Sequence, residues 1–260
     1  MCGGGPGPAP EATFPRLEAP GPARPLPYAR DVISHEQIAA NVAEVRRRLG
    51  EAAAAAGRPP TEVRLVAVSK TVGAAEIRAA VDAGVTHLGE NYVREFRDKR
   101  HALEGLDVRW HFIGALQSST AHHVADLADV VHTVGGEHAA RRLAGRAARA
   151  GRELDVLIEV DVTGERVGVA PEAVPATADS IAALQGVRLC GLMTIAPITD
   201  TPEAARPSFR LLRQLRDDLR EKHPHVLELS MGMSLDYGVA VQEGATMVRI
   251  GTAVFGARTP

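Results

Sequence analysis

Between residues 64 and 252 the chain alternates short apolar runs with longer stretches whose apolar positions recur every three or four residues. Eight such runs predict strands over 64–69, 87–91, 110–114, 130–134, 155–162, 188–195, 228–232 and 247–252. Runs such as LVAVS, VLIEVDV and MVRIG are apolar on both faces, as strands of a parallel sheet covered by helices must be. Each strand is followed by a polar or glycine turn and an amphipathic helix, so the pattern predicts an α/β fold, a single parallel (β/α)8 TIM barrel. An open doubly wound sheet is the rival, but SKTVGA follows the first strand where that fold carries a glycine-rich dinucleotide turn. Ahead of the barrel, Ser34 stands three residues before Gln37 at the start of a long Ala/Val/Arg stretch, predicting an extra N-terminal helix that ends near Gly57. Residues 1–30 are dense in Pro, Gly and Ala and are expected to form a disordered extension, leaving 31–260 as one barrel domain.

Composition adds exclusions. A net charge of −2, with basic residues scattered among acidic ones, gives no footprint for nucleic acid or anionic lipid. No run approaches a membrane span and the N-terminus lacks a signal pattern, so no membrane partner and a cytoplasmic location are expected. Cys2 and Cys190 offer neither a disulfide framework nor a metal-ligand spacing. His122 and His123 are adjacent and cannot share a helix face, so no metal site is expected. The lysines are three, against 27 arginines. Lys99 and Lys222 sit beside acids in polar helical stretches and are expected to form solvated ion pairs. Lys70 stands apart, directly after the first predicted strand.

Functional groups of a parallel barrel gather at the C-terminal ends of its strands, where eight loops surround one mouth. Lys70 is placed there as an amine that can form a Schiff base, or as an ordinary solvent-facing lysine. Arg249 and Gly251 alternate onto one face of the last strand, followed by Thr252. The arginine can sit against a ring nitrogen or pair with a neighbouring acid, while Gly251 and Thr252 can approach a phosphate. Ser230-Met231-Gly232-Met233-Ser234 can complete a phosphate cup or simply cap a helix, and Asn91 can hydrogen-bond a ring oxygen or cap a helix. His111 reads as a satisfied core histidine. Glu159 and Asp161, on one face of the fifth strand, read as structural ion pairs rather than acid–base groups.

Six separated segments, in order, resemble a known family. They are Val66-Ala-Val-Ser-Lys70, Leu88-Gly-Glu-Asn-Tyr-Val-Arg-Glu95, Trp110-His-Phe-Ile-Gly114 with Leu116-Gln117, Gly191-Leu-Met-Thr194, Ser230-Met-Gly-Met-Ser234 with Asp236, and the run from Met247 to Arg258. From about Ser34 to Arg258 the chain resembles the YggS/PROSC family of pyridoxal 5′-phosphate (PLP) homeostasis proteins. The resemblance implies a barrel like the alanine racemase N-terminal domain, with Lys70 as the PLP lysine and no substrate turnover. It also implies Arg249 at the ring nitrogen, Asn91 at the ring oxygen, and Ser230, Met231, Gly232, Ser234, Gly251 and Thr252 around the phosphate. Apo PLP-dependent enzymes are the expected partners of a monomer. The chain departs from the family at Ser119-Thr120, where Asn-Lys is usual, so a cationic contact near the mouth is expected to be missing.

Two other readings stay open at this stage. A PLP-dependent racemase or decarboxylase of this barrel type would need a second domain, which a chain stopping eight residues after Thr252 is not expected to carry, and a second base, for which Tyr237 is the residue to test. A barrel that holds a phosphorylated metabolite without covalent attachment would need only the phosphate cup.

Overall fold

The computed structural model describes residues 33–197 and 200–257. The expected extension at 1–30 lies outside the described residues. Eight parallel strands close into a barrel in sequence order, β1 (Arg64–Val68), β2 (His87–Glu90), β3 (Arg109–Phe112), β4 (Val130–Val134), β5 (Leu154–Glu159), β6 (Val187–Met193), β7 (Glu228–Ser230) and β8 (Met247–Ile250). Closure comes from β1 pairing with β8 in a register that sets Val66 opposite Arg249. Helices α2 (Ala74–Asp82), α3 (Val93–Ala102), α4 (Ala121–Leu127), α5 (Glu137–Arg149), α6 (Val174–Ala182), α7 (Arg206–Arg220), α8 (Tyr237–Gln242) and the single turn α9 (Thr252–Phe255) follow the strands. No helix among the described residues is long and apolar enough to cross a membrane.

The leading helix α1 (His35–Ala55) starts where the sequence indicates, with the Gln37 amide donating to Ser34 Oγ at 3.1 Å. The box is only half made, because the Gln37 side chain donates to Asn41 instead of returning to the cap. Ile38, Val42, Val45, Leu49 and Ala53 form its buried stripe, and Gly57 reverses the chain just beyond its end at φ +67°. That stripe packs beside α2, α8 and α9, covering the seam where the barrel closes.

Strand parity sorts the core into two layers. Leu65, Ala67, Leu88, Trp110, Val248 and Ile250 face outward into the main core shared with the helices. Val66, Val130, Leu157, Met193 and Met247 form a separate apolar plug inside the barrel. Most strands stop one to three residues short of the ends read from sequence. The last apolar or small residues of those runs have already left the sheet and line the mouth.

Candidate functional site

Lys70 lies two residues beyond β1, on the inward parity of Arg64, Val66 and Val68, and is half-buried. The chain on both sides of it is held by one buried ionic cluster. Lys99 of α3 donates to the Ser69 carbonyl, to Glu90 Oε1 at 2.7 Å and to Glu95 Oε1 at 2.7 Å. Ser69 Oγ donates to Glu90, and the Thr71 amide donates to Glu95. Thr71 itself takes φ +63°, a left-handed conformation that a β-branched residue adopts only when its surroundings impose it. Lys99 is therefore not the solvated lysine read from sequence: it is 6% exposed. Its i,i+4 spacing to Glu95 looks like a surface pair, but Glu90 faces outward from β2 and draws the ammonium under α3. Burial pushes the Glu90 carboxyl up, against the pull of Lys99. Lys222 does form the exposed pair expected of it, with Asp179.

Arg249 fills the upper barrel and is 5% exposed. It donates from Nη1 to the Ser230 carbonyl at 2.8 Å and to Ser230 Oγ at 2.7 Å, and from Nη2 to the Thr194 carbonyl at 2.8 Å. These bonds use at most three of the five guanidinium hydrogens. No carboxylate among the described residues lies within ion-pair distance of it, so the acid-paired alternative is not what the structure shows. Burial lowers the guanidinium to about 10, still far above neutrality.

Ser230 and Met231 are both fully enclosed. Ser230 is fully buried at the end of β7, where its hydroxyl is engaged by Arg249 and by His132 Nδ1 at 2.8 Å. Met231 turns into the outer core, and its amide donates to the Met247 carbonyl. Gly232, Ser234, Gly251 and Thr252 do reach the mouth loops. Gly232 sits at φ +91°, and a Cβ there would come within 2.6 Å of the Ala240 Cβ. A Cβ on Gly251 would stand 3.2 Å from the Val68 carbonyl, so this glycine also lets β8 lie against β1. Ser234 is half-buried, and Thr252, opening α9, is exposed.

Asn91 follows β2 on the inward parity, and its side-chain oxygen is buried without a hydrogen-bond partner. A buried amide oxygen left unpaired costs the fold free energy unless something else meets the group. Glu159 is another unpaired group. It ends β5 on the inner face, with no ion-pair partner among the described residues, and burial pushes its carboxyl up to about 7 although Arg249 pulls it down. Asp161 is spent on its own loop, accepting from the amides of Thr163, Gly164 and Arg166. The structural ion pairs read for these two acids do not form. Tyr237 is buried in α8 among outer-core side chains.

His111 is a satisfied core histidine, but it belongs to a row that sequence reasoning missed. His87 Nδ1 meets His111 Nε2 at 2.8 Å, and His111 Nδ1 meets His132 Nε2 at 2.7 Å. The available signal was a histidine on the inward parity of three successive strands. It becomes readable only with the register, in which His111 stands opposite Gly89 and Val130.

The residues at the mouth fit PLP. An amine for its aldehyde, a guanidinium with hydrogens left to give and no carboxylate within ion-pair distance among the described residues, an amide oxygen without a partner, and two glycines beside hydroxyls for a phosphate are brought to one end of the barrel.

Comparison with known proteins gives the same direction. Residues 33–259 match the alanine racemase N-terminal domain family. The chain is 44% identical over 223 residues to the pyridoxal phosphate homeostasis protein of Pseudomonas aeruginosa, covering 85% of this chain and 96% of that one. It is 40% identical over 229 residues to the Escherichia coli protein of the same name, covering 85% and 97%. Among solved structures, PipY of Synechococcus elongatus with PLP bound superposes with a TM-score of 0.76 at 36% identity, over 84% of this chain and all (100%) of that one. Alanine racemase of Clostridium difficile, 17% identical with a TM-score of 0.68, shares the fold over 85% of this chain and 56% of its own. The chain belongs to the family of pyridoxal phosphate homeostasis proteins, built on an alanine-racemase-like barrel.

Proposed function

We infer that this chain binds PLP at the barrel mouth, holds it as a Schiff base on Lys70, and handles it as cargo in PLP homeostasis without turning over a substrate. The single observation that carries the reading is the buried Arg249 guanidinium, which has no carboxylate within ion-pair distance among the described residues and shares one mouth with Lys70. PLP, when bound, supplies an electrophilic aldehyde and an electron-withdrawing ring. The residues here limit what that ring can promote. Arg249 stays charged near neutrality and offers hydrogens without giving up a proton, so a ring nitrogen beside it stays unprotonated and is a weaker electron sink than one facing a carboxylic acid. Gly232, Ser234, Gly251 and Thr252 form the phosphate cup, and Asn91 meets the ring oxygen. The Lys99 cluster fixes the backbone from which Lys70 reaches. Tyr237, the residue singled out as a racemase-type second base, is instead packed within α8. In this reading the protein works as a cytoplasmic monomer that passes its cargo to apo PLP-dependent enzymes.

Borohydride reduction of the PLP-loaded protein followed by peptide mass spectrometry tests the attachment. A pyridoxyl adduct on the peptide containing Lys70 is expected. If no adduct forms and phosphate-ligand binding survives Lys70→Ala, the barrel is instead a non-covalent binder of phosphorylated metabolites. A second reading, turnover, is favoured by one observation, the Glu159 carboxyl held near neutrality close to Arg249. Racemase and decarboxylase assays with excess PLP decide it, since turnover clearly above that of free PLP would overturn the cargo reading.

A further inference from the structure

Half-buried His87 and three buried side chains connect the lower barrel to Arg249 in an unbroken hydrogen-bonded row. His87 sits on the first inward position of β2, near the floor charges Arg64 and Arg109. His111 of β3 and His132 of β4 each stand one inward position higher than the last, because the register sets Gly89 opposite His111 and His111 opposite Val130. Ser230, across the barrel on β7, completes the row at 2.8 Å from His132 Nδ1 and 2.7 Å from Arg249 Nη1. Burial holds both His111 and His132 well below the ordinary imidazole range, so both rings are neutral.

A neutral imidazole has one N–H and one bare nitrogen, and each ring-to-ring contact needs one of each. All members of the row must therefore be the same tautomer. Ser230 sets which one. Its oxygen has to accept from Arg249, which can only donate, and its one hydrogen needs an acceptor. Among the described residues the remaining partner of that hydroxyl is His132 Nδ1. The hydrogen goes there, which leaves Nε2–H on His132, directed at His111 Nδ1, and Nε2–H on His111, directed at His87 Nδ1. Were the row reversed, the Ser230 hydrogen would be buried with nothing to bond, which costs the fold free energy.

We propose that His111 and His132 are positioning residues, a tautomer-locked row that turns the Ser230 oxygen toward Arg249 and so fixes the guanidinium at the mouth. The proposal rests on Arg249 as the ring-nitrogen partner for its purpose, but not for its test, which uses the PLP-free protein. Long-range ¹H–¹⁵N correlation of histidine-labelled full chain reads the tautomers directly. His111 and His132 are expected with bare Nδ1 and protonated Nε2, unchanged from mild acid to mild base. A protonated Nδ1 on either ring, or a mixture, overturns the proposal. Ser230→Ala removes the hydrogen that sets the direction and is expected to leave the two rings in mixed tautomers; unchanged rings in that variant overturn it too. His132→Asn keeps an acceptor for Ser230, whereas His132→Leu does not. Hydrogen exchange at the Arg249 guanidinium is expected to quicken about tenfold in the leucine variant, the equivalent of one lost hydrogen bond, and to stay near wild type in the asparagine variant. Equal exchange in both would mean that the row packs the barrel without positioning Arg249. A correct tautomer pattern with no adduct on Lys70 would sink the PLP reading alone.

Discussion

The barrel interior carries charge at both ends, and the two ends treat it in opposite ways. At the floor Arg64 pairs with Glu228, while Asp155 receives Arg109 at 2.7 Å and Arg188 at 2.6 Å. At the mouth Arg249 and Glu159 have no ionic partner among the described residues, although Arg249 is far more deeply enclosed than the floor arginines and burial raises Glu159. Paired, half-exposed charges add little and ask for nothing further. Unpaired buried ones cost the fold free energy, and such costs collect where a ligand offsets them. Residue type alone does not mark this site, since arginines and acids occur at both ends. What marks it is the absence of mutual neutralisation.

The sharpest test of that contrast is the wall beside Lys70. Lys99→Met leaves Glu90 buried with no cation, so a loss of about 3–5 kcal/mol in urea unfolding is expected. Lys222→Met, which breaks a pair that is 70% and 45% exposed, is expected to cost under about 1 kcal/mol. Equal losses would mean that the cluster behind Lys70 is no more than another surface pair.

Glu159 supplies a smaller effect with a definite sign. Its folded value near 7 lies above the ordinary 4.5, so between those limits the folded chain keeps a proton that the unfolded chain has released. Its contribution is therefore fully present below pH 4.5 and lost as pH rises through 7. Allowing for its remaining exposure, that loss is about 1–2 kcal/mol. The neutral buried His111 and His132 act in the other direction, because the unfolded chain gains protons below the ordinary 6.5 that the folded chain refuses. Net stability consequently falls on acidification, and Glu159 shows itself as a difference. Glu159→Gln should exceed wild type above pH 7 and lose that advantage toward pH 4.5 in urea midpoints taken across the range. A difference independent of pH would remove Glu159 as a group titrating at the mouth.

Much of this was legible in the sequence, for physical reasons. Two-faced apolar runs between amphipathic helices leave few architectures open, and the eight strands lie where the runs are. Their ends were not legible, because Ser69, Asn91 and Gly232 continue the small or apolar character of each run after its hydrogen bonding has stopped. Lys70 and Asn91 could be placed at the mouth because they follow directly on a strand, and Arg249 and Gly251 because they alternate onto one face of the last one. The burial of Lys99 could not, since it depends on an outward carboxylate of a neighbouring strand. Nor could the occupation of Ser230, since His132 comes to it from the far side of the barrel.

The floor offers the smallest effect and the control for all the others. Asp155 is held from two sides, so Arg109→Ala still leaves it bonded to Arg188 through Nε at 2.7 Å and through Nη2 at 2.6 Å. Arg109 is also 48% exposed on its side chain, and water takes its place easily. A loss below about 1 kcal/mol is expected, with PLP binding unchanged. Removing Arg188 as well strips Asp155 of both partners, and the loss in the double variant should then exceed the sum of the two single losses by about 1 kcal/mol in a double-mutant cycle. If the single Arg109→Ala change instead weakened PLP binding, the floor would be coupled to the mouth, and the histidine row that begins beside Arg109 would be the path to examine.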